Sequence, residues 1–294
     1  MKFLFLLTTS MFMLANAYSQ QYNLYETTLT CDKSQKELVA SGHEKIKLVL
    51  ETMAREGKLL NFATNQQYKK DNISLTYTLA AENEARFKEI IGEWKRRTDL
   101  SYPEIFLNFW KGCPKRKDSI MNNVTVIYPV IKSLWSPVAV VEGIDELPDP
   151  KLEYNIVIDF TAFANSDENK SKMDSSSVNW GLSDVGRNFN LHVAAGIPNE
   201  KIHFVVAVHG FASRSFLTDD AYKKRYKINN PNLAIIEELS KAGVKFLVCG
   251  QSLIWMGDKK EMLTPQAKVS LTAQTTLSSY QLKGYALKSI KNDD

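Results

Sequence analysis

Residues 201–210 read K-I-H-F-V-V-A-V-H-G. From Phe204 to Val208 every side chain is apolar, which fits a strand covered on both faces, as in a parallel sheet. Two further stretches read the same way: Y-N-I-V-I-D-F over 154–160 and V-K-F-L-V over 244–248. Helical patterns lie between them. One spans 178–195, with Val185, Phe189, His192 and Val193 inward and Gly196-Ile197-Pro198 as its stop. Shorter helices are expected over 221–226 and 232–241, the second ended by Ala242-Gly243. A fourth strand over 268–272, a turn or helix over 278–283 and a strand over 285–290 follow. This alternation predicts a Rossmann-like α/β domain over 151–294, with a mostly parallel sheet and helices on both faces.

In such sheets ligands bind beyond the carboxyl ends of the strands. Those ends are Asp159, then His209-Gly210, then Cys249-Gly250-Gln251-Ser252, then the region of Thr272 and Gln274. Cys249 falls where a strand gives way to a helix, whose free N–H groups lower a thiol pKa. It reads either as a nucleophilic or sulfur-carrying thiolate or as an inert core cysteine. Cys249 and His209 are the candidate catalytic residues, with His209 as a base or an anion partner. Asp159, Gly250, Gln251 and Ser252 are the candidate substrate-binding residues. The sequence after Cys249 lacks a second Cys, so it is no dithiol redox pair. No spacing resembles a metal site and no phosphate-binding glycine motif follows a strand, so no metal and no cofactor are expected. His192 and His203 read as helix-face and strand residues.

The first half has a different pattern. A strand over 22–30 precedes a helix over 36–56, where Ile46, Val49, Leu50 and Met53 share one face and Gly57 marks the end. A strand over 59–69 and a turn at 70–72 lead into Ile73, Leu75, Tyr77 and Leu79, which alternate as in a half-buried strand. A helix over 82–98 follows, with Phe87, Ile90, Ile91 and Trp94 on one face. The order β-α-β-β-α predicts a small ferredoxin-like α+β domain over 18–110, closed by a strand within 124–130. His43 reads as a surface residue, and Tyr102, Phe106, Phe109 and Trp110 as packing. Residues 111–118, with Lys111, Lys115, Arg116 and Lys117, read as a solvated loop. They open an irregular connector over 111–150, broken by Pro137, Pro148 and Pro150.

Composition bounds the function classes. The chain has 294 residues, 44% hydrophobic and 24% charged, with a formal net charge of +4. That balance excludes wholesale disorder and rod-like folds, and an excess this small does not mark a nucleic-acid binder. Lys2, the apolar run from Phe3 to Leu14 and Ala15-Asn16-Ala17 form a signal peptide over 1–17. The expectation is export to the periplasm with no membrane insertion after cleavage. The three cysteines are too few for a disulfide scaffold and odd in number. Cys31 and Cys113 are candidates to pair, but spacing alone leaves the connectivity open.

As a set, several motifs carry a resemblance: Y-N-I-V-I-D-F at 154–160, V-N-W-G-L-S-D-V-G-R-N-F-N-L from Val178, V-A-V-H-G at 206–210, N-P-N-L at 230–233 and V-C-G-Q-S-L at 248–253. With the Leu147-Pro148-Asp149-Pro150 lead-in, this half of the chain resembles the exported branch of the DsrE/DsrF-like sulfur-relay superfamily. The resemblance implies a Rossmann-like domain that forms homo-oligomers. In sulfur-transferring members a Cys after the third strand carries sulfur as a persulfide, and Cys249 matches that position. The expected function is therefore a periplasmic sulfur carrier or sulfurtransferase, exchanging sulfur with a donor or acceptor protein or a small sulfur compound. The alternative is a non-catalytic envelope module that binds a small molecule or anion.

Overall fold

The computed structural model describes residues 20–121, 124–163, 165–166, 173–174 and 177–291. The signal peptide expected over 1–17 lies outside the described residues. The chain divides into two compact units, one built from Gln20–Ile127 with Ala139–Val141, the other from Tyr128–Val138 and Glu142–Asp294.

The N-terminal unit begins with β1 (Gln21–Asp32), α1 (Lys36–Arg55), β2 (Phe62–Tyr68) and β3 (Asn72–Ala81). It continues with α2 (Glu84–Ser101), α3 (Pro103–Gly112) and β4 (Lys115–Ile120). The strands run in the order β2-β3-β1-β4, each antiparallel to its neighbours. That is the expected ferredoxin-like plan. Two short strands extend it: β5 (Val126–Ile127) beside the start of β1, then β6 (Val138–Ala139). Alternation puts Leu29, Cys31, Ile73, Leu75, Tyr77 and Leu79 on one sheet face, where they meet Ile46, Leu50, Phe87, Trp94 and Phe109 from the helices.

Two expectations need correction here. The expected closing segment 124–130 supplies only β5, beside the start of β1; most of that edge is closed by β4, in the basic stretch read as a loop. Its six residues are all exposed, so it lacks the apolar alternation that betrays a strand. An edge strand tolerates lysines because one side needs no partner. His43 is buried, with Nδ1 2.8 Å from the Tyr77 hydroxyl. Its α1 neighbours are charged, but its own face turns inward. The candidate pair Cys31 and Cys113 does form a disulfide, which ties the end of β1 to the residue that follows α3.

The C-terminal unit contains β7 (Tyr154–Phe160), β8 (Asn165–Ser166), β9 (Met173–Asp174), α4 (Trp180–Ala194) and β10 (Ile202–Val208). After a 3-10 turn at Gly210–Phe216 come α5 (Asp219–Tyr226), α6 (Leu233–Lys241) and β11 (Lys245–Cys249). The series ends with α7 (Gly250–Met256), β12 (Ala267–Ser270), α8 (Ala273–Leu282) and β13 (Ala286–Ile290). Five strands form one parallel sheet in the order β12-β11-β10-β7-β13. The strands β7, β10, β11 and β12 advance in one direction and β13 returns to the far side of β7. Right-handed crossovers then put α8 on the face opposite α4 and α6. The packing agrees. Ile156, Ile158, Val206, Val208 and Val248 meet Leu182, Val185, Ile236 and Leu239 on one face. Ala207 and Cys249 meet Ala273 and Leu277 on the other.

Part of the expected connector is built into this unit. The buried Asn190 carboxamide on α4 accepts the N–H groups of Val130 (3.1 Å) and Ile131 (2.9 Å) and donates to the carbonyls of Ile131 (2.8 Å) and Ser136 (2.7 Å). One asparagine thus satisfies four backbone groups of a strandless segment. The N-P-N-L motif acts similarly. Asn232 accepts the N–H of Asn179 at 2.7 Å, and Asn230 donates to the carbonyls of Ser215 and Leu217. These contacts fix the loops at the carboxyl ends of the strands. Among the described residues no helix is long and apolar enough to cross a membrane.

Candidate functional site

Cys249 ends β11 and caps α7, and only 4% of its surface is exposed. Burial pushes its thiol pKa up. The Ser252 hydroxyl and the backbone N–H groups of Ser252, Ala273 and Gln251 around it act the other way, and together these hold the thiol below its ordinary value. The donors come from the first turns of two helices, α7 and α8, on either side of the sulfur. The Ser252 oxygen in turn accepts the Gly210 N–H at 3.0 Å. A hydroxyl has one proton to give, and that contact leaves it for the sulfur. Gly210 has φ +59°, a left-handed conformation that favours glycine.

Gly250 is explained by close packing. A Cβ there would lie 3.0 Å from the Ser270 carbonyl oxygen, so any larger residue would have to push α7 and β12 apart by a few tenths of an ångström. Gln251 serves the sulfur through its backbone, and its side chain is exposed. Thr272 caps α8 by accepting the Gln274 N–H at 3.1 Å. Beyond α7, the carboxylate of Asp258 is fully buried and lies 2.5 Å from Arg225 and 3.9 Å from Arg214. It connects the end of α7 to α5 and to the turn that follows His209.

The second group lies on the neighbouring strands. His209 Nε2 is 2.6 Å from Asp159 Oδ1, and Lys291 Nζ is 3.4 Å from Asp159 Oδ2. The His209 backbone N–H donates to the Phe160 carbonyl at 3.1 Å, which holds it in line with β10. Both side chains are partly exposed, His209 by 31% and Asp159 by 17%. Register pairs Val208 with Val248 and Ala207 with Asp159. Residues two apart on a strand share a face, so Asp159, Ala207, His209 and Cys249 all project on the α8 side.

The structure thus gathers the strand-end residues in two adjoining groups, Cys249 with Ser252 and His209 with Asp159. The other histidines stay apart. His192 Nδ1 lies 2.7 Å from the Asn188 carbonyl, and His203 pairs with Glu153 at 2.9 Å. The sequence reading did not single out Lys291 or the Ala273 N–H. Lys291 directly follows β13, so listing the carboxyl end of that strand with the others would have found it. Among the described residues no group of three or more His, Cys, Asp or Glu side chains is arranged to hold a metal ion.

Residues 158–287 match the model of the DsrE/DsrF-like family. Over those residues the chain is similar to a family associated with sulfur relay. A solved structure of a protein of unknown function from Methanobacterium thermoautotrophicum is similar at 18% identity, covering 47% of this chain and 99% of that one, with a TM-score of 0.32. No curated protein matches the chain.

Proposed function

We propose that the protein is a periplasmic sulfur carrier that holds sulfane sulfur as a persulfide on Cys249. The observation that carries this reading is a buried cysteine between the end of β11 and the start of α7, whose thiol pKa is lowered by the Ser252 hydroxyl and by the N–H groups of Ser252, Ala273 and Gln251. A thiolate is the attacking form in sulfur exchange, and a persulfide is a reversible state that needs no cofactor. His209, beside Cys249 at the strand ends, takes up and returns protons. The low exposure of Cys249 guards it from capture by bulky disulfides in an oxidising compartment. Export rests on the leader at residues 1–17.

A homo-oligomer is part of the proposal. Ile254 (74% exposed) and Trp255 (87%) on α7 and Leu271 (74%) after β12 present large apolar side chains to solvent. Gly250 packs against the backbone around Leu271, and Ile254 lies one turn along the same face. A second copy of this chain would cover them.

The test is peptide mass spectrometry on the exported protein before and after exposure to polysulfide. Cys249 should gain one sulfur atom and lose it to an added thiol, and Cys249→Ser should gain none. A wild-type Cys249 that stays unmodified while the protein is folded would overturn the carrier reading. The burial of Cys249 favours one rival, a module that binds an anion at His209 and Asp159 without turnover. In that case Cys249→Ser would leave anion binding intact.

A further inference from the structure

We propose that Asp159, held by Lys291, is a positioning residue that orients His209 as the proton carrier for sulfur exchange at Cys249, so that Cys249, His209 and Asp159 act as a triad spread over three neighbouring strand ends. This rests on the carrier reading above. Three observations support it. The strands β11, β10 and β7 are adjacent and parallel, and their register puts the three side chains on one face, Cys249 level with His209 and Asp159 opposite Ala207, one same-face step before it. Neighbouring strands lie about 4.8 Å apart, which is the spacing between the backbones that carry His209 and Cys249. Asp159 binds the imidazole at 2.6 Å through Nε2. A carboxylate only accepts, so Nε2 carries the hydrogen and the neutral ring keeps its lone pair on Nδ1.

Asp159 lies on the β7 side of β10 and Cys249 on the β11 side. With Nε2 committed to Asp159, Nδ1 is the ring atom left for Cys249. Lys291 takes the other carboxylate oxygen at 3.4 Å, which keeps Oδ1 for the histidine. The charged and titratable neighbours are few. They are Asp159 on β7, Lys291 after β13 and Cys249 on β11, while α7 and α8 carry no acidic or basic side chain. Arg214, in the turn after His209, is directed to Asp258.

The reaction balances without an outside oxidant or reductant. The Cys249 thiol gives its proton to His209 Nδ1. The thiolate attacks the outer sulfur of a hydropersulfide, R–S–SH. A new S–S bond forms on Cys249 as the donor S–S bond breaks, and its electron pair leaves on R–S⁻. The imidazolium returns the proton to R–S⁻. One thiol and one hydropersulfide are consumed, and one of each is formed. Unloading is the reverse, with an acceptor thiol as R–SH.

The experiment measures single-turnover loading of Cys249 by cysteine persulfide on the full exported chain, from about pH 5 to 9. Alkylation of Cys249 by iodoacetamide is followed in parallel. His209→Gln should load roughly 100-fold more slowly. Asp159→Asn should slow loading at least roughly 10-fold and displace the acidic limb of the pH profile, because an amide can donate to Nε2 and favour the other tautomer. Asp159→Glu should recover part of the rate, and the exposed Lys291→Gln should show a smaller displacement in the same sense. A pH profile for Asp159→Asn that superimposes on wild type would overturn the triad while leaving the carrier intact. If wild-type Cys249 takes no sulfur, the carrier reading falls, and the alkylation profiles then decide the triad by the same criterion. A folded wild type inert to both reagents overturns both.

Discussion

Ser252 has one hydroxyl proton, and Gly210 decides where it points. The Gly210 N–H fills an acceptor position on Ser252 at 3.0 Å, and the hydroxyl then donates to Cys249. A hydrogen bond to a charged group is worth about 1.5–3 kcal/mol. Ser252→Ala should therefore raise the Cys249 pKa and slow alkylation at neutral pH by roughly 10-fold or more. Ultraviolet absorbance of the thiolate against pH checks the first, and an unmoved titration would show that the backbone donors suffice. A thiol with a lowered native pKa contributes stability above its unfolded pKa and loses it as pH falls through the native one. The deficit of Ser252→Ala against wild type should grow toward alkaline pH and fall in acid to the pH-independent part left by the lost Gly210 contact. Gly250→Ala tests packing instead. Its Cβ would press on a main-chain oxygen at 3.0 Å, so the start of α7 must shift and the donors at 251 and 252 move with it. That variant should lose reactivity at Cys249 even though no donor atom has been removed.

At the scale of elements, α1 shows how a buried histidine becomes a pH sensor for its own unit. Burial is the main cause holding the His43 pKa below 6.5, Glu44 opposes it and Lys47 assists. Below the unfolded value the unfolded chain binds the proton more readily than the native one. The N-terminal unit should therefore lose stability as pH falls from about 7 to 5, by up to about 1.4 kcal/mol per pH unit. His43→Gln, which keeps a polar partner for Tyr77, should flatten that slope in urea unfolding followed at the two pH values. Equal slopes would rule His43 out. The same helix shows what sequence pattern can reveal. Ile46, Val49, Leu50 and Met53 announced their face, whereas His43, polar and flanked by charge, did not announce that it shares it. The strands of the parallel sheet were legible because both their faces are apolar. Strand β4 was not, because its pairing with β1 is a main-chain property that K-R-K-D-S-I hides. At the site, the strand-end rule brought Asp159, His209 and Cys249 forward. It could not show that Asp159 binds His209, or that Gly250 answers to β12, since both depend on which strands are neighbours.

At the scale of the whole molecule, each unit has a core of its own, and the cysteines are divided between them. Cys31 and Cys113 lie in the N-terminal core, and Cys249 lies on the far face of the C-terminal sheet. The disulfide joins residues separated by 82 positions. In the chain-entropy account a loop of that length stabilises by about 4–5 kcal/mol. That stability belongs to the unit outside the matched family region, so removing it should leave the chemistry of the other unit in place. The double variant Cys31→Ala, Cys113→Ala should lower the unfolding temperature of the N-terminal unit in calorimetry. Cys249 should still load sulfur, at the wild-type rate, below that temperature. The experiment also settles a practical point. Acceptor thiols used to unload Cys249 can reduce the disulfide as well, and the double variant separates the two effects. If the double variant stays folded but no longer loads, the N-terminal unit takes part in the sulfur chemistry. The strand ends of the parallel sheet would then be only part of the site.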